Sequence, residues 1–418
     1  MAADLVVIGL GFAGLPLAQA AVAAGMDVIG YDRDEQRVAE VGSGRSPVHD
    51  LSAADIRRML ACGFRATTDP DALGRARIAV ICEPTPLTEE GTPDLTAVRA
   101  SAAALARRLR PHSTVIVGST VHPGTTEDVL RPLLEGSGLR CGVDFHLAVS
   151  PTRTDPGNRG HRLSSTPAVV GGATPACADA AAAFLSRLTE RVVRARGTRE
   201  AETVKLLENN YRVVNIALVN EMAVFCHDAG IDLWDVIRCA ETKPYGFQAF
   251  RPGPGMGGYC TALDPAYLPR RGRTIGYPLR MVELAQEVNQ RMPRYLVHRA
   301  SALLNEDGKA VRGARVLLLG VTYKPDVADT SASPAHQVAA RLLELGAQLS
   351  YHDPWVPQWR VLDRPVPRAD SPYDAAAGAD LTLLLQPHRL YDLQGLTAKA
   401  RRLLDARGVT PAGAAHRL

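Results

Sequence analysis

The sequence predicts an α/β protein in which two doubly wound Rossmann-like domains are joined by a long central helix. Three observations predict it. Short apolar runs alternate with helical stretches through the first 150 residues. A helical pattern without proline or glycine then fills residues 200–228. A second alternation of strands and helices runs from Ala314 to Asp405. At 418 residues the chain exceeds what one core holds. The expected division is 1–198 for a first α/β domain, 199–300 for a central helical segment with a cysteine loop, and 301–418 for a second α/β domain.

Residues 4–9, Asp-Leu-Val-Val-Ile-Gly, form a short apolar run of the kind a buried parallel strand needs. Gly9, Gly11 and Gly14 follow in G-x-G-x-x-G spacing, then a helix over Leu15–Ala24. A strand over Met26–Tyr31 ends in Asp32. In this context the first glycine makes the turn, the second admits a pyrophosphate, and the third lets helix pack on strand. The helix N-terminus faces the phosphates. Asp32 is placed to accept from a ribose 2′-OH, which favours NAD over NADP, while Arg33 beside it leaves a small opening for NADP.

Further strands are expected at Ile78–Cys82, Thr114–Gly118 and His146–Ser150, with a helix over Ala97–Arg110. The loops behind these strands line one crevice, because ligands of open parallel sheets sit beyond the carboxyl ends of strands. Thr85, Ser119 and Thr120 lie in those loops. Taken singly, each reads as turn chemistry or capping.

On the central helix Leu207, Tyr211, Val214 and Leu218 form an apolar stripe at three- and four-residue steps. Lys205 and Asn209 are four apart on a different face, where polar groups are ordinarily solvated. Then comes Phe250-Arg-Pro-Gly-Pro-Gly-Met-Gly-Gly-Tyr-Cys260, with Asp264 one turn beyond. Glycines at that density let backbone approach a ligand closely. A lone cysteine there is more often packed than reactive. A helix over Tyr277–Ala300 leads to the second domain, whose strands are expected at Ala314–Leu319, Gln348–Tyr351, Asp380–Leu385 and Arg402–Asp405, with a helix at Ala335–Leu345. It has no G-x-G-x-x-G, so its ligand is not expected to be a second NAD. The tail after Val409 reads as loosely ordered.

Bulk properties exclude several classes. The net charge is only +4 and arginine is dispersed, so no nucleic-acid footprint exists. The seven cysteines are scattered without a CxxC pair. That argues for reduced thiols in a cytoplasm and against a zinc site; no metal is expected. No basic stretch precedes the first strand, so no secretory signal is expected. No apolar run reaches the roughly 20 residues of a membrane span.

Taken together, Gly9-Leu-Gly-Phe-Ala-Gly14, Cys82-Glu-Pro-Thr-Pro86, Ser119-Thr120, Gly124-Thr-Thr126, Glu202-Thr-Val-Lys-Leu-Leu-Glu-Asn209, Asn220-Glu221, Gly253–Cys260 with Asp264, and Gly320-Val-Thr-Tyr-Lys-Pro325 carry a resemblance. The chain resembles the UDP-glucose/GDP-mannose dehydrogenase family over nearly its whole length. Lys243-Pro-Tyr-Gly-Phe247 and Asp264-Pro-Ala-Tyr-Leu268 are most similar to the UDP-N-acetylhexosamine branch. The resemblance implies NAD-dependent oxidation of a sugar C6 alcohol to the uronic acid, through a thiohemiacetal and a thioester on Cys260. It implies that Lys205 and Asn209 hold the C6 oxygen, and that Asp264 and Thr120 order water and polar groups. It places Gly9, Gly11, Phe12, Ala13, Gly14, Asp32, Arg33, Thr85, Pro86, Ser119 and Thr120 around NAD. It places Thr152, Arg153, Phe250, Pro252, Gly253, Gly257, Gly258, Tyr323 and Lys324 at the UDP-sugar, with Lys205 and Asn209. A homodimer through the central helices is also implied.

Four departures stand against the family pattern. Thr152 follows Ser150-Pro151 where the family has a glutamate, and a hydroxyl is no base near neutral pH. Asp329-Thr-Ser-Ala-Ser-Pro334 lacks an arginine that would have touched cofactor phosphates. Tyr259-Cys-Thr-Ala262 replaces His-Cys-Ile-Pro, and Glu83 replaces valine. The leading expectation is a complete uronate-forming dehydrogenase. A variant stops at the aldehyde or thioester. A non-catalytic nucleotide-sugar binder and a β-hydroxyacid dehydrogenase are the other readings, and the last needs neither cysteine loop nor second α/β domain.

Overall fold

The computed structural model describes residues 3–48, 51–88, 92–153, 155, 157–158, 160–258 and 267–418. The chain forms two compact units, one of residues 1–208 with 266–277 and one of residues 209–265 with 278–418.

The first unit is built on an eight-stranded sheet. Its strands are β1 (Ala3–Ile8), β2 (Val28–Tyr31), β3 (Arg65–Thr67), β4 (Ala76–Ile81), β5 (Thr114–Val117), β6 (His146–Val149), β7 (Ala168–Gly172) and β8 (Val192–Arg194). They lie in the order β3-β2-β1-β4-β5-β6-β7-β8. Neighbours from β3 to β6 are parallel; β7 runs antiparallel to β6, and β8 is parallel to β7. The order reverses at β1, which puts a crevice beyond the ends of β1 and β4. Leu5, Val6, Val7 and Ile8 of β1 are all fully buried. Val6 and Ile8 join one core cluster while Leu5 and Val7 join another. Both faces of the sheet are covered, which is why the strand reads as a continuous apolar run.

Helix α1 (Gly14–Ala23) leaves the first glycine turn. Helices α2 (Glu35–Gly42) and α3 (Ala53–Ala61) begin at the side-chain caps of Asp34 and of a Ser52–Asp55 capping box. Helices α4 (Thr96–Ala106), α5 (Arg131–Glu135) and α6 (Pro175–Leu185) complete the layers. The short strands β3, β7 and β8 were not expected from the sequence, because three to five residues carry too little periodicity to separate from loop.

Helix α7 spans Thr198–Asp228, 31 residues, or about 46 Å. The expected apolar stripe is present but does not form its buried face: Leu207 is 64% exposed, Tyr211 49% and Leu218 57%. The buried face carries Ala201, Glu202, Lys205, Leu206, Asn209, Val213, Ala217 and Asn220. Lys205 and Asn209, which taken in isolation read as solvated, are both buried. Helix α8 (Leu233–Ala240) follows, capped by Asp232.

In the second unit β9 (Arg315–Leu319), β10 (Gln348–His352), β13 (Leu381–Leu384), β14 (Leu403–Asp405) and β15 (His416–Arg417) form a parallel sheet in the order β10-β9-β13-β14-β15. Strands β11 (Arg360–Val361) and β12 (Arg364–Pro365) make a small antiparallel pair. Helices at Arg280–Glu306, Pro334–Glu344, Pro372–Gly378 and Leu393–Lys399 belong to this unit. The first starts three residues later and ends six later than the sequence suggests. The tail is not loose: β15 pairs with β14, and Leu418 is buried with its carbonyl accepting from the Trp234 indole at 3.1 Å. Its small and polar residues hide an edge strand that only its partner defines. No described helix is long and apolar enough to cross a membrane.

Candidate active site

Gly9 has φ +94°, and a Cβ on it would sit 2.8 Å from the Cys82 carbonyl oxygen. A Cβ on Gly14 would overlap the Gly9 carbonyl at 1.8 Å, whereas one on Gly11 would meet nothing within 4 Å. Gly9 and Gly14 are thus demanded by packing; Gly11 fronts open space. Asp32, at the end of β2, is 7% exposed. Its Oδ2 accepts from Leu10 N at 2.8 Å and from Arg37 at 3.2 Å, and its Oδ1 accepts from Asp34 N at 3.0 Å. Phe12 is 41% exposed beside the turn, and Ala13 is half-buried. Arg33 is exposed, while Arg37, which the sequence reading passed over, holds the Asp32 carboxylate.

The ends of β4, β5 and β6 are laced by short polar links. Thr85 Oγ1 donates to the Thr120 carbonyl at 2.8 Å, and Ser119 Oγ donates to the Glu83 carbonyl at 2.7 Å. The Tyr267 hydroxyl donates to the Thr85 carbonyl. Pro86 and Thr120 are half-buried there. Thr152 Oγ1 donates to the Gly118 carbonyl at 3.0 Å, so its proton is already committed. Arg153 forms a bidentate pair with Glu208, at 2.6 and 3.3 Å, and donates to the Pro167 carbonyl. A cavity of about 60 Å³ lies beneath, lined by Ala13, Cys82, Gly118, Pro151, Thr152 and Phe184 among others. Burial pushes the Cys82 thiol up to about 12, so it stays protonated and inert.

Two carboxyls carry roles the sequence reading left blank. Glu202, 2% exposed on α7, accepts from Gly124 N at 2.6 Å, Thr126 N at 2.8 Å and Thr126 Oγ1 at 2.6 Å. It ties the 119–126 loop to the helix that carries Lys205 and Asn209. Glu83 is buried and accepts from Ser101 Oγ at 2.6 Å. Burial, opposed by that hydrogen bond, raises its pKa. Neither role was legible from spacing, since Ser101 and Thr126 come from other elements.

In the second unit Asn220 Oδ1 accepts from Gly253 N at 2.9 Å, and Asn220 Nδ2 donates to Asn289 Oδ1 at 2.8 Å. Asn289 in turn donates to the Val213 carbonyl. Phe250 stacks edge-to-face on Tyr211 with centroids 5.8 Å apart, and Pro252 is buried. A Cβ on Gly253 would lie 2.7 Å from Arg407 Nη1. One on Gly257 would clash with the Tyr323 Cβ and the Ala332 carbonyl oxygen, both at 2.9 Å. One on Gly258, at φ +85°, would strike the Tyr323 ring at 2.6 Å. Gly257 and Gly258 are thus required by the chain's own contact with Tyr323, whatever lies on their other side. Lys324 is half-buried, and its carbonyl accepts from Thr322 Oγ1. Cys260, Asp264 and their neighbours Tyr259, Thr261 and Ala262 lie outside the described residues.

The second domain repeats the first in outline. Asp353, just beyond β10, accepts from Val321 N at 2.7 Å as Asp32 accepts from Leu10 N. His388 Nε2 also lies 2.9 Å from Asp353 Oδ2, and both side chains are fully buried. That carboxylate is closed to a ribose.

Residues 3–189 match the NAD binding domain of the UDP-glucose/GDP-mannose dehydrogenase family, residues 199–291 its central domain, and residues 317–412 its UDP binding domain. The chain belongs to the UDP-glucose/GDP-mannose dehydrogenase family. Members of this family are NAD-dependent nucleotide-sugar 6-dehydrogenases, and this protein is such an oxidoreductase. It is 34% identical over 352 residues to the UDP-N-acetyl-D-glucosamine 6-dehydrogenase of Pseudomonas aeruginosa, covering 84% of this chain and 82% of that one. It is 30% identical to the UDP-N-acetyl-D-mannosamine dehydrogenase of Methanocaldococcus jannaschii, covering 96% and 92%. Among solved structures, the UDP-D-ManNAc dehydrogenase of Pyrococcus horikoshii superposes with a TM-score of 0.87 at 29% identity, over 98% of this chain and 97% of that one.

The residues of this dehydrogenase fit NAD. Gly11 leaves open space where a Cβ would meet nothing, and Asp32 keeps an acceptor site on Oδ1 beyond its three hydrogen bonds.

Proposed function

We propose that this dehydrogenase oxidises the C6 alcohol of a UDP-N-acetylhexosamine to the uronic acid, with Cys260 as nucleophile. The observation carrying the reading is the burial of Lys205 and Asn209 on one face of α7, at 8% and 9% exposure, inside a chain whose relatives act on such sugars. The two stand one helical turn apart, so a cation and an amide donor share that face of the helix. We read them as holders of the C6 oxygen, stabilising its negative charge as the alcohol proton leaves.

Around the cofactor the open face at Gly11 admits the pyrophosphate, Asp32 takes a ribose hydroxyl, and Thr85, Ser119 and Thr120 order the strand-end loops. NAD, when bound, accepts a hydride from the sugar carbon in each of the two oxidations. The Cys260 thiolate adds to the aldehyde carbon, giving a thiohemiacetal whose oxidation leaves a thioester. Water then attacks the thioester carbon, the C–S bond breaks, and the thiolate leaves with the carboxylate formed. Lys205 and Asn209 hold the oxygen through these steps, and Asp264 orders the water. On the nucleotide side Phe250–Gly258, Tyr323 and Lys324 receive the UDP-sugar.

A second reading has its own support. Thr152 spends its proton on the Gly118 carbonyl, so no carboxylate at that position activates the water. In this reading an aldehyde leaves after one oxidation, or the thioester of the second oxidation hydrolyses slowly or passes to another acceptor. Counting NADH per sugar consumed, with intact-mass analysis of Cys260, separates the two. Two NADH with free uronate supports the first reading. One NADH, or a persistent adduct, supports the second, and binding without any NADH overturns both.

The exposed side chains of Leu207, Tyr211, Leu218 and Phe225 along α7 support a homodimer through the central helices. The division 1–198, 199–300 and 301–418 remains our assignment of the functional domains. The six described cysteines are unpaired, which suits a reducing cytoplasm.

A further inference from the structure

The loop that follows β9, residues 320–326, carries Tyr323 and Lys324 and is held by side chains just beyond β10 and β13. At its start, Val321 N and Thr322 N donate to Asp353 Oδ2 at 2.7 and 3.3 Å. In its middle, Gln386 Nε2 donates to the Tyr323 carbonyl at 2.8 Å. At its end, Asp326 N donates to His388 Nδ1 at 2.9 Å. The Asp326 carboxylate accepts from Arg389 N at 3.0 Å and from Arg389 Nε at 2.6 Å.

Asp326 has φ +60°, a left-handed backbone that residues with a side chain rarely adopt. Such a residue keeps that conformation only where its surroundings hold it there. Here the holders are a buried imidazole on its amide and an arginine on its carboxylate.

The His388 side chain is fully buried, and the reaction proposed above does not use it. Its Nδ1 faces an N–H, which only an unprotonated ring nitrogen accepts, so the ring proton sits on Nε2. Nε2 meets Asp353 Oδ2 at 2.9 Å, the same oxygen that accepts from Val321 N. The ring thus bridges both ends of the loop. One nitrogen fixes Asp326, and the other fixes the carboxylate that fixes Val321.

We propose that His388 is a positioning residue for the nucleotide sugar, setting the 320–326 loop so that Tyr323 and Lys324 receive the UDP moiety. This rests on the reading above, in which Tyr323 and Lys324 face the UDP-sugar. His388 acts through the loop backbone, and a binding constellation must be held within about 0.5 Å of its productive geometry.

The two ring nitrogens can be tested separately. In His388→Asn the amide oxygen takes the Nδ1 position and still accepts from Asp326 N, but the donor to Asp353 is gone. In His388→Gln the amide nitrogen reaches the Nε2 position and still donates to Asp353, but Asp326 N loses its acceptor. UDP and NAD are titrated calorimetrically into the intact chain in separate arms, and each variant is melted. His388→Gln should weaken UDP roughly tenfold, the worth of one lost hydrogen bond, and leave NAD affinity unchanged. His388→Asn should weaken UDP less, whatever it loses in melting temperature. Leu396→Ala, buried in a core cluster that contains no residue of the loop, should melt lower yet bind UDP as the parent does. If the His388 variants fail to fold, Arg389→Ala, at a side chain 69% exposed, carries the comparison and should weaken UDP several-fold. Lys324→Met tests the underlying reading by itself: unchanged UDP affinity there would sink that reading, and this inference with it. If Lys324→Met does lose UDP, the inference alone is overturned by any of three results. His388→Gln binds UDP like the parent, loses no more than His388→Asn, or loses UDP and NAD affinity together.

Discussion

Glu202 accepts two hydrogen bonds from Thr126, one from its amide at 2.8 Å and one from its hydroxyl at 2.6 Å. The pair joins residues 76 apart in sequence and fixes the start of a π-helical turn, Thr125–Leu130, against α7. Burial raises the Glu202 pKa, while the hydrogen bonds from Thr126 and Gly124 work against that rise. Glu202→Ala should cost about 2–4 kcal/mol of stability, since it orphans two buried amides. Urea denaturation measures it, and a change under about 1 kcal/mol would refute the role.

Lys205→Met and Asn209→Ala should each lower kcat by about 10²–10³. Far-UV circular dichroism and NAD affinity should be unchanged. A purely structural role would instead lower stability and leave the kcat of the surviving enzyme near that of the parent.

Thr152→Glu should place a carboxylate where the family keeps one. If hydrolysis limits turnover, steady-state NADH production should rise and any Cys260 adduct seen by intact mass should vanish. An unchanged rate with no adduct in either protein would show that another group already serves the water.

Asn220→Ala removes the acceptor for Gly253 N and the partner of Asn289. The KM for the nucleotide sugar should rise severalfold, with stability lower by about 1–3 kcal/mol. Steady-state kinetics against UDP-sugar and against NAD separate this from a general loss, because KM for NAD should hold.

Glu83 titrates above an ordinary glutamate, chiefly through burial. The protonated form is favoured in the folded chain, so its contribution is complete below the unfolded pKa. That contribution is lost as pH rises through the folded value. Glu83→Gln should therefore gain melting temperature relative to the parent as pH rises from 4.5 toward neutrality. Parallel melts across that range decide it, and a constant difference would reject the assignment.

Much of this protein is legible in one dimension. The strand–turn–helix–strand register from Asp4 to Asp32, the paired α/β halves and the long helix follow from local rules. Glycine spacing, buried apolar runs and the lack of helix breakers are each properties of neighbouring residues. Tertiary structure decided which face of α7 was buried. Leu207, Tyr211 and Leu218 obey helical periodicity yet remain exposed in the single chain, while Glu202, Lys205 and Asn220 are enclosed. Periodicity defines a stripe but not what packs against it. The same holds at Gly257 and Gly258, where the side chain of Tyr323, 65 or more residues later, leaves no room for a Cβ. It holds again at Trp234, whose indole donates to an oxygen of Leu418, 184 positions away. Such features depend on contacts between distant segments, and no window of sequence contains both sides of them.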